Sequence, residues 1–184
     1  MRHLNKLSIV TFALVCLFSI NAAQAETMNI EVSTGAVISS PGDLEARVLL
    51  KFDVPQDLSG QEIIFAELHI QATCSIPDSS SLMIDCAPLL SAWNIENANW
   101  DNFGGDLSNG IISENSTYSG VSNAGLQSVN LDITDFMRAW QDSSLANYGL
   151  IIYPEPEQES SFSYSQNEGQ PFATIRIEFE PISQ

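Results

Sequence analysis

Residues 62–74, EIIFAELHIQATC, alternate apolar and polar side chains with a period of two. This alternation predicts a β-strand, because successive side chains of a strand point to opposite faces of its sheet. The pattern places His69 on the solvent side. The side chains predicted to face the core are Ile64, Ala66, Leu68, Ile70 and Ala72.

The same period recurs through much of the chain, in RVLLKFDV at 47–54, VNLDI at 129–133, SFSYS at 161–165 and FATIRIEFE at 172–180. The stretch YGLIIY at 148–153 is apolar on both faces, which predicts a central strand covered on both sides. Loops rich in Gly, Asn, Ser and Pro separate these segments. The chain is therefore predicted to be all-β, with a β-sandwich or jelly-roll fold.

One segment, DFMRAWQ at 135–141, follows a helical pattern instead. Phe136 and Trp140 are four residues apart and share one helix face. Thr134 is the expected N-cap, and Asp135 suits the first turn. We expect this short helix to pack at one end of the sandwich, with Trp140 in the core.

The N-terminal residues predict a cleaved signal peptide over residues 1–25. Arg2 and Lys6 precede an apolar run at 7–20, and Ala23 and Ala25 form a small-x-small cleavage pattern. No other segment approaches the roughly 18 apolar residues that a membrane span needs. We therefore expect a single β-sandwich domain over residues 26–184, located in the periplasm or outside the cell, with no membrane insertion after removal of the signal.

The net charge of the predicted domain restricts the classes of partner that it can bind. The chain has 6 basic and 23 acidic residues and a formal net charge of −17, which becomes −19 when Arg2 and Lys6 leave with the signal. An acidic field of this size repels nucleic acid, anionic membranes and polyuronates. Neutral glycans, cations and protein surfaces remain as partners.

Cys74 and Cys86 are the two cysteines of residues 26–184. An even pair in an oxidising compartment predicts a disulfide, here across the two arms of a hairpin whose turn contains Pro77 and Asp78. The alternative is a metal or redox pair, which would need closer cysteine spacing or histidine partners. His69 is the sole histidine of residues 26–184, which excludes a metal site built from several histidines.

Four segments in order over residues 47–180 resemble the DNRLRE-type domain, a secreted β-sandwich grouped with alginate-binding carbohydrate-binding modules. The resemblance implies a non-catalytic, glycan-binding function. It also implies basic residues that would hold a polyuronate, whereas residues 26–184 contain only Arg47, Lys51, Arg138 and Arg176. The matching segments are Lys51-Phe52-Asp53-Val54, Trp93 to Trp100, Leu131-Asp132-Ile133-Thr134 through Trp140, and Asn147 to Ile152.

Four aromatic residues are candidates for carbohydrate binding. Trp93 and Trp100 have indole faces that suit sugar rings, but packing in the core or at the rim of the sandwich explains their positions equally well. Tyr118 and Tyr153 lie in or beside predicted loops, where we expect them to be exposed. An ordinary surface tyrosine is the alternative for both.

Two groups of acids are candidates for a Ca²⁺ site, the only cofactor that the sequence suggests. Asp101 and Asp106 flank an Asn-Phe-Gly-Gly turn, and Glu155 and Glu157 alternate with prolines. Carboxylate oxygens suit Ca²⁺, yet solvated acidic loops are the alternative.

No pair of acids is fixed at a cleft by a recognisable motif, so we expect no enzymatic activity. The sequence predicts a non-catalytic module that binds a polysaccharide or a cell-surface glycan. The alternative is a structural or adhesive extracellular protein without a sugar ligand.

Overall fold

The computed structural model describes residues 24–42, 45–75, 82–104, 111–121, 123–154, 161–164 and 171–182. These residues form two antiparallel five-stranded sheets, which confirms the all-β, sandwich-like prediction. The boundaries of the predicted domain, 26–184, stay a prediction. The strands are β1 (Glu26–Val32), β2 (Thr34–Ser39), β3 (Ala46–Lys51), β4 (Gln61–Ser75), β5 (Leu82–Pro88), β6 (Thr117–Val121), β7 (Gly125–Asp132), β8 (Leu150–Pro154), β9 (Ser161–Tyr164) and β10 (Ala173–Pro181).

Sheet A has the strand order β1-β10-β4-β7, with β9 also paired to β4, and sheet B has the order β2-β3-β8-β5-β6. The inward side chains of both sheets meet in one inner core, which includes Leu68, Ile175, Leu50 and Ile152. The first strand begins at Glu26, directly after the predicted cleavage site. Residues 1–23 of the predicted signal peptide lie outside the described residues.

Strand β8 lies in the middle of sheet B, between β3 and β5. All five of its residues are buried, which confirms the central strand predicted from the apolar run at 148–153. Leu150 and Ile152 face the inner core, whereas Ile151 and Tyr153 face the opposite side of the sheet. That opposite side is therefore covered by other parts of the chain.

Strand β4 contains an irregularity that the sequence does not predict. Glu178 of β10 pairs with Phe65, but the next residue, Phe179, pairs with Ile63, so Ile64 is left as an extra residue. A bulge of this kind reverses the alternation locally. Ile63 is fully buried and Ile64 is 38% exposed, so the prediction that Ile64 faces the core is wrong.

The predicted outward position of His69 is confirmed. It lies on the outer face of sheet A, and its Nδ1 is 2.7 Å from the Asn130 side-chain oxygen.

Helix α2 (Thr134–Gln141) follows β7, and helix α1 (Trp100–Phe103) is a single turn that the sequence does not predict. Phe136, Met137 and Trp140 of α2 are buried in the inner core beside β4, so Trp140 is a core residue as predicted. The N-cap position belongs to Ile133, and Thr134 is the first helical residue. The expected capping role of Thr134 is therefore wrong. Its hydroxyl instead accepts a hydrogen bond from the Ala66 backbone N–H at 2.9 Å.

The two cysteines are free, buried thiols, so the predicted disulfide is wrong. The strands that carry them do not pair with each other as the arms of a hairpin would, and the predicted turn at Pro77 and Asp78 lies outside the described residues. Cys74 lies on β4, which pairs with β10, β7 and β9, whereas Cys86 lies on β5, which pairs with β6 and β8. The chain thus changes sheets between the two residues, and both side chains point into the inner core. Burial raises the pKa of each thiol.

Candidate functional site

The outer face of sheet B carries a second hydrophobic core. We call residues 89–104 and 111–112, which pass over this face, the cover segment. The buried side chains of the cover segment pack on outward-facing residues of β2, β3, β5 and β8. The buried residues of this second core, from the cover segment and the sheet together, are Ile38, Leu49, Ala87, Leu89, Trp93, Phe103, Ile112, Ile151 and Tyr153.

Trp93 belongs to this second core. Its side chain is only 3% exposed, and its Nε1–H donates a 2.9 Å hydrogen bond to the Tyr148 carbonyl oxygen. Neither indole face is therefore available to a sugar. The alternative of core packing is confirmed for Trp93, and its burial does not favour the predicted role in carbohydrate binding.

The rings of Trp100 and Tyr153 both contact one buried cation, the guanidinium of Arg47. The Arg47 guanidinium lies 4.9 Å from the centre of the Trp100 ring and 5.7 Å from that of Tyr153. Arg47 is 6% exposed and donates to the Phe103 carbonyl at 3.0 Å and to the Glu45 carboxylate at 3.1 Å. These contacts fasten the cover segment to β3.

Tyr153 is only 5% exposed, so its predicted exposed position is wrong. Its burial, together with the negative charge of Asp85, raises the pKa of Tyr153 to about 12. Trp100 is half-buried, and the contact of its ring with Arg47 favours the packing interpretation for this residue as well.

Tyr118 is the one predicted binding aromatic that is freely exposed. It lies on β6, at the edge of sheet B, and is 67% exposed. Among the side chains whose burial the structure describes, no other aromatic residue is exposed to this extent. Its neighbour Thr117 pairs with Cys86, which faces the inner core, so Tyr118 points to the outer face.

The register of three strands brings Asp85 beside this ring. Asp85 of β5 pairs with Tyr118 on one side and with Tyr153 on the other. Directly paired residues share a face, with Cβ atoms about 5 Å apart. The half-buried Asp85 carboxylate therefore lies between the buried Tyr153 and the exposed Tyr118.

Gly120 is the second neighbour of the Tyr118 ring. It lies two residues along β6 on the same face and pairs with Met83. Glycine has no side chain here, and the Met83 sulfur lies 3.5 Å from where a Cβ of Gly120 would be, so Met83 borders the surface beside Tyr118. We call the surface formed by Met83, Asp85, Tyr118 and Gly120 the Tyr118 face. Sequence patterning alone missed Asp85 and Gly120, since only the pairing of β5 with β6 places them here.

The basic residues of 26–184 do not converge on this face. Arg47 is buried, and Lys51 lies at the end of β3. Arg138 donates from its Nε to the Ile63 carbonyl at 2.7 Å, and Arg176 pairs with Glu178. Within the described part of the chain, no arginine or lysine is placed to hold a uronate carboxylate at Tyr118.

A separate cleft lies between α2 and residues 113–117. It consists of two adjoining cavities of about 400 and 660 Å³, which share Ser116, Asp135 and Phe136. Phe136 is only 8% exposed, and the half-buried Phe65 also lines the smaller of the two cavities. Polar and acidic side chains, such as Glu114, make up much of the remaining lining.

Only one of the four predicted calcium ligands lies in the described part of the chain. Asp101 is exposed at the start of α1, whereas Asp106, Glu155 and Glu157 lie outside the described residues. Within the described part of the chain, no three His, Cys, Asp or Glu side chains are grouped as a metal site would require. The calcium site stays a prediction.

None of the described helices is long and apolar enough to cross a membrane. The chain matches no protein-family model and no curated protein.

Proposed function

We propose that this protein is a secreted, non-catalytic module that binds glycans through the Tyr118 face. The observation that carries the proposal is the 67% exposure of the Tyr118 ring on a paired β-strand. A tyrosine ring offers an apolar surface for the C–H face of a sugar, and its hydroxyl offers a hydrogen bond. Holding the ring on a strand limits the entropy lost on binding.

The polar neighbour of the ring suits the same ligand. Sugars present hydroxyl groups around their apolar faces, and an ionised carboxylate accepts strong hydrogen bonds from such donors. Asp85, directly opposite Tyr118 in the sheet, supplies this acceptor. A ring and a carboxylate side by side therefore match the two kinds of surface that one sugar unit offers.

Two predictions from the sequence agree with this proposal. The predicted signal peptide would deliver the chain to the compartment in which polysaccharides occur. The resemblance to the DNRLRE-type domain implies carbohydrate binding by a β-sandwich. The family's polyuronate ligand is not part of the proposal, because the positions of the four basic residues do not support it.

The test is retention of the purified protein on a panel of insoluble polysaccharides in about 0.5 M salt, where weak charge attraction is screened but stacking persists. We expect retention on at least one member of the panel. Tyr118→Ala should reduce the affinity about tenfold, as the loss of one stacking ring implies. The melting temperature should stay unchanged, because the ring is exposed.

Leu126→Ala is the matched control, since Leu126 is 65% exposed on β7 of the other sheet. This variant should be retained like the wild-type protein. Absence of retention on every polysaccharide, or equal retention of Tyr118→Ala and the wild type, would contradict the proposal and favour the structural or adhesive alternative.

A further inference from the structure

Strand β6 forms one edge of sheet B, and no strand in the described part of the chain pairs with its other side. Strand β7 contacts β6 and forms an edge of sheet A. Residues 115–131, which contain β6 and all of β7 except Asp132, are the longest stretch of residues 26–184 without a charged side chain. Natural edge strands usually carry charges that prevent pairing with another chain. In a chain with 23 acidic residues, an uncharged edge is the exception and indicates a strand that can accept a partner.

The opposite side of the sandwich suits a partner less well. Its edge strand in sheet A, β1, carries Glu26 and Glu31. Its edge strand in sheet B, β2, follows β1 after the single residue Ser33. Another acidic chain that approached β2 would therefore meet the acids of β1.

The sequence of β6, Thr-Tyr-Ser-Gly-Val, is complementary to itself in the antiparallel direction. When two copies pair about Ser119, all 5 residues of the strand find a partner, and Tyr118 lies opposite the partner's Gly120 on the same face. An aromatic ring from the facing strand fills the place that a glycine leaves empty. The Met83 sulfur is 3.5 Å from where a Gly120 Cβ would be, so the incoming ring also gains a contact with a thioether.

We infer that the occupant of this edge is a second copy of the same chain, paired with the first through β6 about a two-fold axis. The two Tyr118 rings are then diagonal neighbours about 7–8 Å apart on one continuous surface. Each ring lies across the partner's Gly120 and keeps its other face outward. A polysaccharide, whose sugar units repeat, contacts both rings, so each copy completes the binding surface of the other. This role of the paired rings rests on the proposed function, whereas the pairing of β6 does not.

The experiment is sedimentation velocity of the purified protein from about 1 µM to 1 mM, because a short strand gives a small interface and a weak, reversible dimer. We expect the mass to rise from monomer to dimer and to stop there, since a two-fold interface closes on itself. The net charge of −17 opposes association, so about 0.5 M salt should favour the dimer. Growth beyond the dimer would overturn the inference. A monomer throughout would also overturn it and would leave the edge to an extended strand of another protein.

Two variants, Gly120→Asp and Gly120→Lys, test whether β6 is the interface. Gly120 is exposed and lacks the positive φ that favours glycine, so both variants should fold. Each variant alone should dimerise about tenfold more weakly, because like charges meet across the axis. An equimolar mixture should form a heterodimer at lower concentration than either variant alone, because opposite charges then meet. Partial unfolding cannot produce this rescue.

Thr27→Asp is the matched control, since Thr27 is exposed on β1 at the opposite side of the sandwich. It should dimerise like the wild-type protein. Equal weakening by Thr27→Asp and Gly120→Asp, or no rescue in the mixture, would contradict pairing through β6.

The outcomes also separate this inference from the proposed function. If the protein dimerises through β6 but Tyr118→Ala leaves oligosaccharide binding unchanged, the dimer stands and the glycan site is wrong. If the protein stays monomeric and Tyr118→Ala weakens oligosaccharide binding, the glycan site stands and the dimer is wrong.

Discussion

Replacing Trp93 with alanine is expected to lower the free energy of unfolding by about 3–5 kcal/mol, as measured by urea denaturation. Trp93 is 3% exposed and is the largest buried side chain of the cover segment. Its removal leaves a cavity in the second core. It also leaves the Tyr148 carbonyl without its indole donor, which adds the cost of an unpaired polar group.

Ile95→Ala is the matched control, since Ile95 is 63% exposed in the same segment. This variant should change the free energy of unfolding by no more than about 0.5 kcal/mol. A loss of less than about 1 kcal/mol for Trp93→Ala would mean that the cover segment does not fold cooperatively with the sheets. It would also return Trp93 to the candidates for carbohydrate binding.

The second large effect is expected at Arg47. We expect Arg47→Ala to lower the free energy of unfolding by about 3 kcal/mol, because a charged hydrogen bond and the packing of the side chain are lost together. The Phe103 carbonyl loses its donor, and the Trp100 and Tyr153 rings lose the cation between them. Amide exchange should become faster through the cover segment, which Arg47 fastens to β3.

Arg176→Ala provides the comparison. Arg176 is exposed on β10 and pairs with Glu178 at the surface, so its removal should cost no more than about 1 kcal/mol. Equal effects of the two substitutions would contradict the structural role assigned to the buried arginine.

The sequence predicted those features of the fold that depend on local alternation. Strands with a clean period of two, such as β10, were recognised because one face is buried and the other is not. Strand β8 was recognised as central because both faces are apolar. The bulge at Ile64 was not predictable, since an extra residue depends on the register with the partner strand.

Errors about the binding residues and the cysteines have a common cause. Arg47 and Leu49 alternate with the inner-core residues Val48 and Leu50, yet both are buried, on the opposite face of the sheet, by a cover segment that has no regular period. For the same reason Trp93 and Tyr153 looked available to a ligand. The cysteine pair was placed on a hairpin because proximity in sequence does not reveal that the chain changes sheets.

Tyr118 was correctly singled out as an exposed aromatic, but its surroundings could not be predicted. Asp85 is 33 residues away in the sequence, and only the pairing of β5 with β6 brings the two side chains together. Patterning therefore finds exposed rings, whereas the charge beside a ring depends on strand register.

The most direct test of the glycan site is to titrate isotopically labelled protein with an oligosaccharide that it binds. The measured quantity is the change in the chemical shift of each backbone amide. We predict that the largest shift changes occur at Met83, Asp85, Tyr118 and Gly120, with little change on the outer face of sheet A. Largest changes at His69 and Asn130, or at Asp135 and Leu145 beside the α2 cleft, would contradict the assignment of the glycan site to the Tyr118 face.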